Sequence, residues 1–264
     1  MKSVFFRALF CGAVLLSAAQ VSAEVLAYPD GEAPLSLRQK PMPELDASTK
    51  LGKILTRYYL EGLGGPKHWD KIESLRVSGT IVVAEDKLAI SAYQKKPSYI
   101  KMELESESGH VVRLGYDGKV AWRRYGESQE ARLMDEAEAR RFIHSAHFGN
   151  HLLYPFANSK QIEYIDTVPL ESALCHQIRV TLGTGYVVDY FIDIRRYLEV
   201  KVVNTDTQTG LVSEVIYEDY IRDFGMPIAK RVRNYENGEL ISTLELSEVK
   251  VNTGIMPFMF HMPK

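Results

Sequence analysis

Apolar residues recur with two different periods along the chain. Between Ala47 and Gly62, the side chains Leu51, Ile54, Leu55, Tyr58 and Tyr59 fall at helical spacing on one face, and Asp46 stands where it can cap the first turn. Gly62, Gly64 and Gly65 stop this helix. Pro66 opens a second short one, to which Trp69 and Ile72 give a buried side. From Glu73 onward the helical period gives way to strand alternation. Val77, Gly79, Ile81 and Val83 alternate with Ser78, Thr80 and Val82, and similar runs follow at roughly ten-residue spacing, as in an antiparallel meander.

The turns between these runs carry their own chemistry. Asp117-Gly118 and Asn237-Gly238 read as type I′ hairpin dipeptides, because both central residues of that turn need positive φ. Further reversals are expected at Glu85-Asp86, Lys96-Pro97, Ser108-Gly109, Gly183 to Gly185, Thr205 to Gly210 and Phe224-Gly225. The segments between them number about eleven strands. One helical stretch interrupts the series: Asp135 caps Glu136 to Ala146, with acidic residues in its first turn. Its stripe continues through Phe142, Ile143, Ala146, Phe148, Leu152, Leu153 and Phe156 and is broken at Gly149, so two short helices meeting at a bend are expected.

These elements predict a mainly β (α+β) fold. Its core is a single curled antiparallel sheet of about eleven strands, forming an unclosed β-barrel with a short-helix lid. A sheet of that width encloses more space than a barrel of about eight strands, which side chains just fill, so an apolar cavity under the lid is expected. Alternation and the lid stripe nominate Ile81, Leu114, Trp122, Phe142, Phe148, Ile178, Val180, Tyr190, Ile192 and Leu244 as candidates to line it.

The ends and the composition narrow the setting. Lys2 and Arg7 form a basic region, Ala8 to Ala19 an apolar one, and Val21-Ser22-Ala23 a small-residue cleavage site, so residues 1–23 read as a signal peptide. Residues 24–46 contain Pro29, Pro34, Pro41 and Pro43 and read as an extended or disordered leader, which leaves 47–264 as one domain. The expected location is the periplasm. No segment is long and apolar enough for a membrane helix, so an integral membrane protein is not expected. With a formal net charge of -2 the chain has no broad cationic field, which argues against nucleic acid as a partner. Of its two cysteines, Cys11 lies in the signal and follows Phe10, too bulky for a lipoprotein cleavage site; Cys175 remains alone, without an internal disulfide.

Several ordered features together carry a resemblance. The run Tyr58 to Gly65 (YYLEGLGG), the segment Ile72 to Gly79, the Lys96-Pro97 step, the hairpin Tyr116-Asp117-Gly118 to Trp122, Asp219-Tyr220 before Gly225-Met226-Pro227, and the ending Val251-Asn252 to Phe260 and Pro263 resemble the outer-membrane lipoprotein-sorting protein family. That family belongs to the LolA/LolB-like superfamily. The resemblance covers Ala47 to Pro263. It implies an unclosed barrel with a helical lid over a hydrophobic cavity, and a carrier or binder of lipoproteins, lipids or other acylated molecules that works without a cofactor. It also implies an envelope transporter or outer-membrane acceptor as partner.

Other chemistry is thinner. His144, His147 and His151 stand at i, i+3 and i+7 and would share one side of a continuous helix as zinc ligands, but Gly149 interrupts it and no H-E-x-x-H is present. Glu103 with Glu105, or Asp189 with Asp193, share a strand face as carboxylate pairs do in glycosidases, yet exposed strand carboxylates are common. Cys175 and His176 are adjacent on a strand and point to opposite faces, which argues against a nucleophile and base. Arg123-Arg124 and Arg195-Arg196 are candidates for holding an acidic headgroup at a groove rim. No nucleophile elbow or phosphate loop is present, so no catalytic residue, metal or cofactor is assigned. An envelope interaction or sensor module on the same fold is the alternative reading, and a zinc hydrolase the more distant one.

Overall fold

The structure is a computed structural model in which residues 46, 48–126, 129–152, 160–171 and 173–264 are described. The signal and leader segments therefore lie outside the described residues, apart from Asp46.

Thirteen strands make one antiparallel sheet: β1 (Ser74–Val83), β2 (Asp86–Lys95), β3 (Tyr99–Ser106), β4 (Val111–Tyr116), β5 (Ala121–Tyr125), β6 (Arg132–Leu133), β7 (Gln161–Pro169), β8 (Leu174–Thr181), β9 (Tyr186–Asp193), β10 (Glu199–Asp206), β11 (Val212–Asp223), β12 (Met226–Glu236) and β13 (Glu239–Val251). The order is β6-β5-β4-β3-β2-β1-β13-β12-β11-β10-β9-β8-β7, so β6 and β7 are free edges and the sheet does not close. The count exceeds the expected eleven; β6, two residues long, is visible only through its pairing with β5. The chain divides into two compact units, one of Glu73–Phe148 with Ile241–Lys264, the other of Gly149–Leu240 with the described part of Leu35–Ile72.

The first helix, α1 (Lys50–Arg57), is capped by Thr49, whose hydroxyl accepts from the Gly52 amide at 3.0 Å. This corrects the expected cap: Asp46 instead accepts from the amide and hydroxyl of Ser48, one turn too early to reach the helix. A π-helical turn, Tyr58–Gly62, follows directly and buries Tyr58 and Tyr59 together with Ile54 and Leu55 of α1. Then α2 (Gly65–His68) begins with Pro66 in its first turn and leads into a 3-10 turn, Trp69–Lys71, with Trp69 and Ile72 buried.

Turn chemistry divides the two dipeptides that looked alike. Asn237 (φ 48) and Gly238 (φ 85) form the two-residue loop between β12 and β13, as a type I′ turn requires. Phe224 (φ 53) and Gly225 (φ 75) do the same between β11 and β12. Asp117 does not take positive φ: Asp117 to Val120 form a four-residue loop in which the Asp117 carboxylate accepts from the amides of Lys119 and Val120, and only Gly118 (φ 86) is left-handed.

In the first unit, α3 (Glu136–Ser145) is capped by Asp135, which accepts from the Glu138 amide at 2.9 Å. It lays Ala139, Phe142, Ile143 and Ala146 on the inner face of β1 to β5, where Ile81, Val83, Leu88, Ile90, Ile100, Leu104, Val112, Leu114 and Tyr116 form one core. The expected second helix past Gly149 (φ 91) begins as a bend and turn through Leu152, and its remainder lies outside the described residues.

Candidate functional site

Register decides which candidate side chains share a surface. Ile81 faces Leu244 across β1 and β13, and both pack with Leu114 and Phe142 around the core beneath α3. Trp122 stands elsewhere. It is paired with Gly115, whereas Leu114 is paired with Arg123, so Trp122 lies on the opposite face from Leu114. A Cβ at Gly115 would fall 2.4 Å from the Trp122 ring, so the absent side chain there is what lets the indole lie flat on the strand. The indole N–H donates to the Phe260 carbonyl at 2.8 Å, and the C-terminal 3-10 turn, Pro257–Phe260, covers it. Phe148 is buried too; its amide donates to the Pro97 carbonyl at 3.3 Å, and the Lys96 ammonium lies 5.6 Å from its ring.

The helix over this core is held by charge as well as by apolar contact. Arg123, on the Leu114 face of β5, pairs with Glu138 of α3, whose carboxylate is almost fully buried. Burial raises the Glu138 carboxyl above its usual range despite the guanidinium beside it.

In the second unit, Ile178 and Tyr190 are directly opposed on β8 and β9, with Val180 opposite Val188 and Ile192 opposite His176 on the same face. Ile178, Val180 and Ile192 are fully buried and Tyr190 nearly so. The Tyr190 hydroxyl accepts from the His151 amide at 3.0 Å. Beside it, the Tyr58 hydroxyl donates to the Glu199 carboxylate at 2.5 Å, Asn150 donates to the same oxygen at 2.6 Å, and the Tyr220 hydroxyl donates to the Glu199 carbonyl at 2.8 Å. Burial pushes Glu199 up and the hydrogen bonds from Tyr58 and Asn150 oppose it; Tyr58 and Tyr190 are pushed far up by burial. Lys160, desolvated and lowered to about 8, donates to the His151 carbonyl at 2.7 Å. This polar cluster ties the π-helical turn after α1 and the turn after Gly149 to the sheet.

The ten candidates are thus not gathered on one surface: Ile81, Leu114, Phe142 and Leu244 share the core beneath α3, Trp122 lies on the other face of its strand, and Ile178, Val180, Tyr190 and Ile192 share a face of β8 and β9. Nine are buried and Leu244 is half-buried. Two solvent-facing depressions among the described residues are lined by none of the ten. One, about 370 Å³, is lined by Lys53, Ile54, Thr56 and Arg57 of α1 with Tyr197. The other, about 110 Å³, lies on β2 to β4 among Ala89, Ile90, Ser91, Glu103, Glu105, Val111 and Arg113. Glu103 is there held below its usual range against the effect of burial by Lys101 and Arg113, which makes it an ion-paired surface carboxylate.

The histidine spacing loses its rationale, since α3 ends at Ser145 and neither His147 nor His151 is on it. Among the described residues no group of three or more His, Cys, Asp or Glu is placed to hold a metal ion. Cys175 is buried and its thiol is pushed up to about 11 by that burial, aided by Asp193. No helix among the described residues is long and apolar enough to cross a membrane.

An open antiparallel sheet with its edges at β6 and β7 and a few short helices has clear counterparts among solved structures. A LolA superfamily protein from Nitrosomonas europaea matches with a TM-score of 0.56 at 13% identity, over 81% of this chain and 98% of that one. The fold is like that of this LolA superfamily protein. A domain named for outer-membrane lipoprotein sorting from Vibrio parahaemolyticus matches with a TM-score of 0.55 at 11% identity, over 81% of this chain and 97% of that one. A DUF1329 family protein from Desulfovibrio piger matches with a TM-score of 0.58 at 10% identity, over 79% and 95% of the two chains. No family model matches the sequence, and no curated protein matches it. The LolA-like likeness is therefore one of fold.

Proposed function

We propose that this LolA-like protein is a periplasmic carrier or binding protein for lipoproteins, lipids or other hydrophobic ligands, which it takes up beneath α3. The observation that carries the reading is the lightness of that cover. One ten-residue helix roofs an apolar face; its apolar contacts are two large side chains, Phe142 and Ile143, and two small ones, Ala139 and Ala146, and one ion pair, Arg123–Glu138, adds to them. Burying each large side chain is worth about 1.5–3 kcal/mol, and each methylene of an acyl chain about 0.8 kcal/mol, so roughly eight methylenes offset the loss of these two apolar contacts. A guest beneath α3 would meet Ile81, Leu114, Phe142 and Leu244. The fold likeness to a lipoprotein-sorting domain supports the same reading. No chemistry on the bound molecule is part of it, and the function is carriage rather than catalysis. Delivery calls for an envelope transporter or an outer-membrane acceptor.

Uptake of a fluorescent fatty acid tests this directly. The full chain is expected to take up the probe saturably, and Phe142→Ala, which loosens the cover, to take it up faster. Failure of both proteins to bind the probe would overturn the carrier reading.

A second reading, an envelope interaction module, is favoured by one observation. Met256, Phe258, Met259 and Met262 are all exposed around the C-terminal 3-10 turn, with Phe258 at 66%, and flexible methionine surfaces suit protein partners. A stoichiometric partner lost on Phe258→Ser, with probe uptake intact, would establish it.

A further inference from the structure

The depression of about 370 Å³ beside α1 combines apolar and cationic side chains. Its floor is Ile54 and the ring of Tyr197, and its rim is Lys53 and Arg57. That volume is at the lower end of the roughly 300–1,000 Å³ usual for small-molecule sites. It is large enough for a charged head and part of a chain.

Charge at the rim is one-sided. Lys50, Lys53 and Arg57 follow at i, i+3 and i+7 and are all exposed, so they share one face of α1. Lys50 lies 3.8 Å over the Tyr164 ring and Arg57 4.2 Å over the Tyr197 ring, with His176 between these rings at centroid distances of 6.0 and 6.4 Å. Glu61 neutralises Arg57 through two hydrogen bonds of 2.7 and 3.0 Å. Among the described residues no acidic side chain pairs with Lys53. A cationic rim on a chain of net charge -2 is a local arrangement and not the average surface. The turn that supplies Tyr197 also carries Arg195 and Arg196, both exposed, with Arg196 held by Asp193 at 3.0 Å.

Backbone strain is spent on the floor of this depression. Tyr197 has φ 53, a left-handed conformation rare for an aromatic residue, and its carbonyl sits where a Cβ at Gly62 would come within 2.2 Å. That turn brings the ring under Arg57 and, with Ile54, into the lining of the depression.

We infer that this depression is a binding site for an acidic amphiphile, a molecule with one carboxylate or phosphate on an alkyl body. The head pairs with the Lys53 ammonium, and the first methylenes lie on Ile54 and the Tyr197 ring. The site goes beyond the carrier reading, because none of the interior candidate residues lines it, and it holds whether or not the interior takes a guest.

Calorimetric titration of the full chain with dodecanoate, dodecyl phosphate and dodecyl maltoside, each below its micelle concentration, tests the assignment. At least one anion is expected to bind tenfold or more tightly than the maltoside, and added salt should weaken it. Preference for dodecanoate identifies a carboxylate head, preference for dodecyl phosphate a phosphate head. Lys53→Glu, on an exposed position and folded by its melting curve, should lose at least tenfold in anion affinity while keeping its uptake of a neutral acyl probe. Maltoside binding within twofold of both anions, unchanged anion affinity in Lys53→Glu, or equal loss of anionic and neutral probes would overturn the inference.

Discussion

A single carboxylate builds the turn on which Tyr197 sits. Asp193 accepts from the amides of Arg195 and Arg196 at 2.7 and 2.9 Å and from the Arg196 guanidinium at 3.0 Å. Burial alone would raise this carboxyl, and the amide and guanidinium donors outweigh it, so it is held below its usual range. The sign follows: its contribution to stability is whole above about pH 4 and is lost as the pH falls through the lowered folded value. Asp193→Asn should therefore cost about 2 kcal/mol at neutral pH, and chemical denaturation should show the gap to wild type narrowing below about pH 4. Trp122 gives a second test at this scale. Fully buried over Gly115 and hydrogen-bonded to Phe260, it behaves as packed core, and Trp122→Ala should cost about 3–5 kcal/mol in denaturant titration with little change in probe uptake. A large loss of uptake at small stability cost would mean that this face is the binding wall.

Among the elements, α3 is the one that the proposed uptake requires to move, and the Arg123–Glu138 pair holds it to β5. Removing one partner of a buried pair leaves the other uncompensated, so Arg123→Met should cost about 3 kcal/mol, whereas Arg123→Met with Glu138→Leu should recover most of it. The comparison is made by melting all three proteins. Hairpins offer a cleaner check on local conformation. Gly238→Val forces a β-branched residue to positive φ and should destabilise by about 1–2 kcal/mol; an unchanged midpoint would contradict the type I′ assignment. The alternating runs, the Asp135 cap and the reversal points were legible in the sequence because each rests on interactions within a few residues. The cap at Thr49 was not, since Asp46 and Thr49 have the same capping chemistry and only the backbone path selects between them. Nor was the geometry at Asp117, where a side-chain hydrogen bond to the loop replaced the left-handed backbone that the dipeptide implied.

At the scale of the molecule, the open antiparallel architecture could be read from periodicity and from the ordered resemblance, because long alternating segments admit few arrangements. Which strand face each candidate occupies could not, since a one-residue offset exchanges the faces; Trp122 and Leu114 were nominated together and stand on opposite sides of the sheet. The depression beside α1 was also hidden. Tyr197 reaches it from far along the chain and only through a left-handed turn. What unifies these observations is an apolar sheet face under a helix that few contacts hold down. Native mass spectrometry of the protein after gentle purification tests that claim most directly. The account predicts a fraction carrying one acyl-containing guest, displaced by added fatty acid. Protein recovered wholly free of guest, and still free after incubation with phospholipid or acylated peptide, would contradict it.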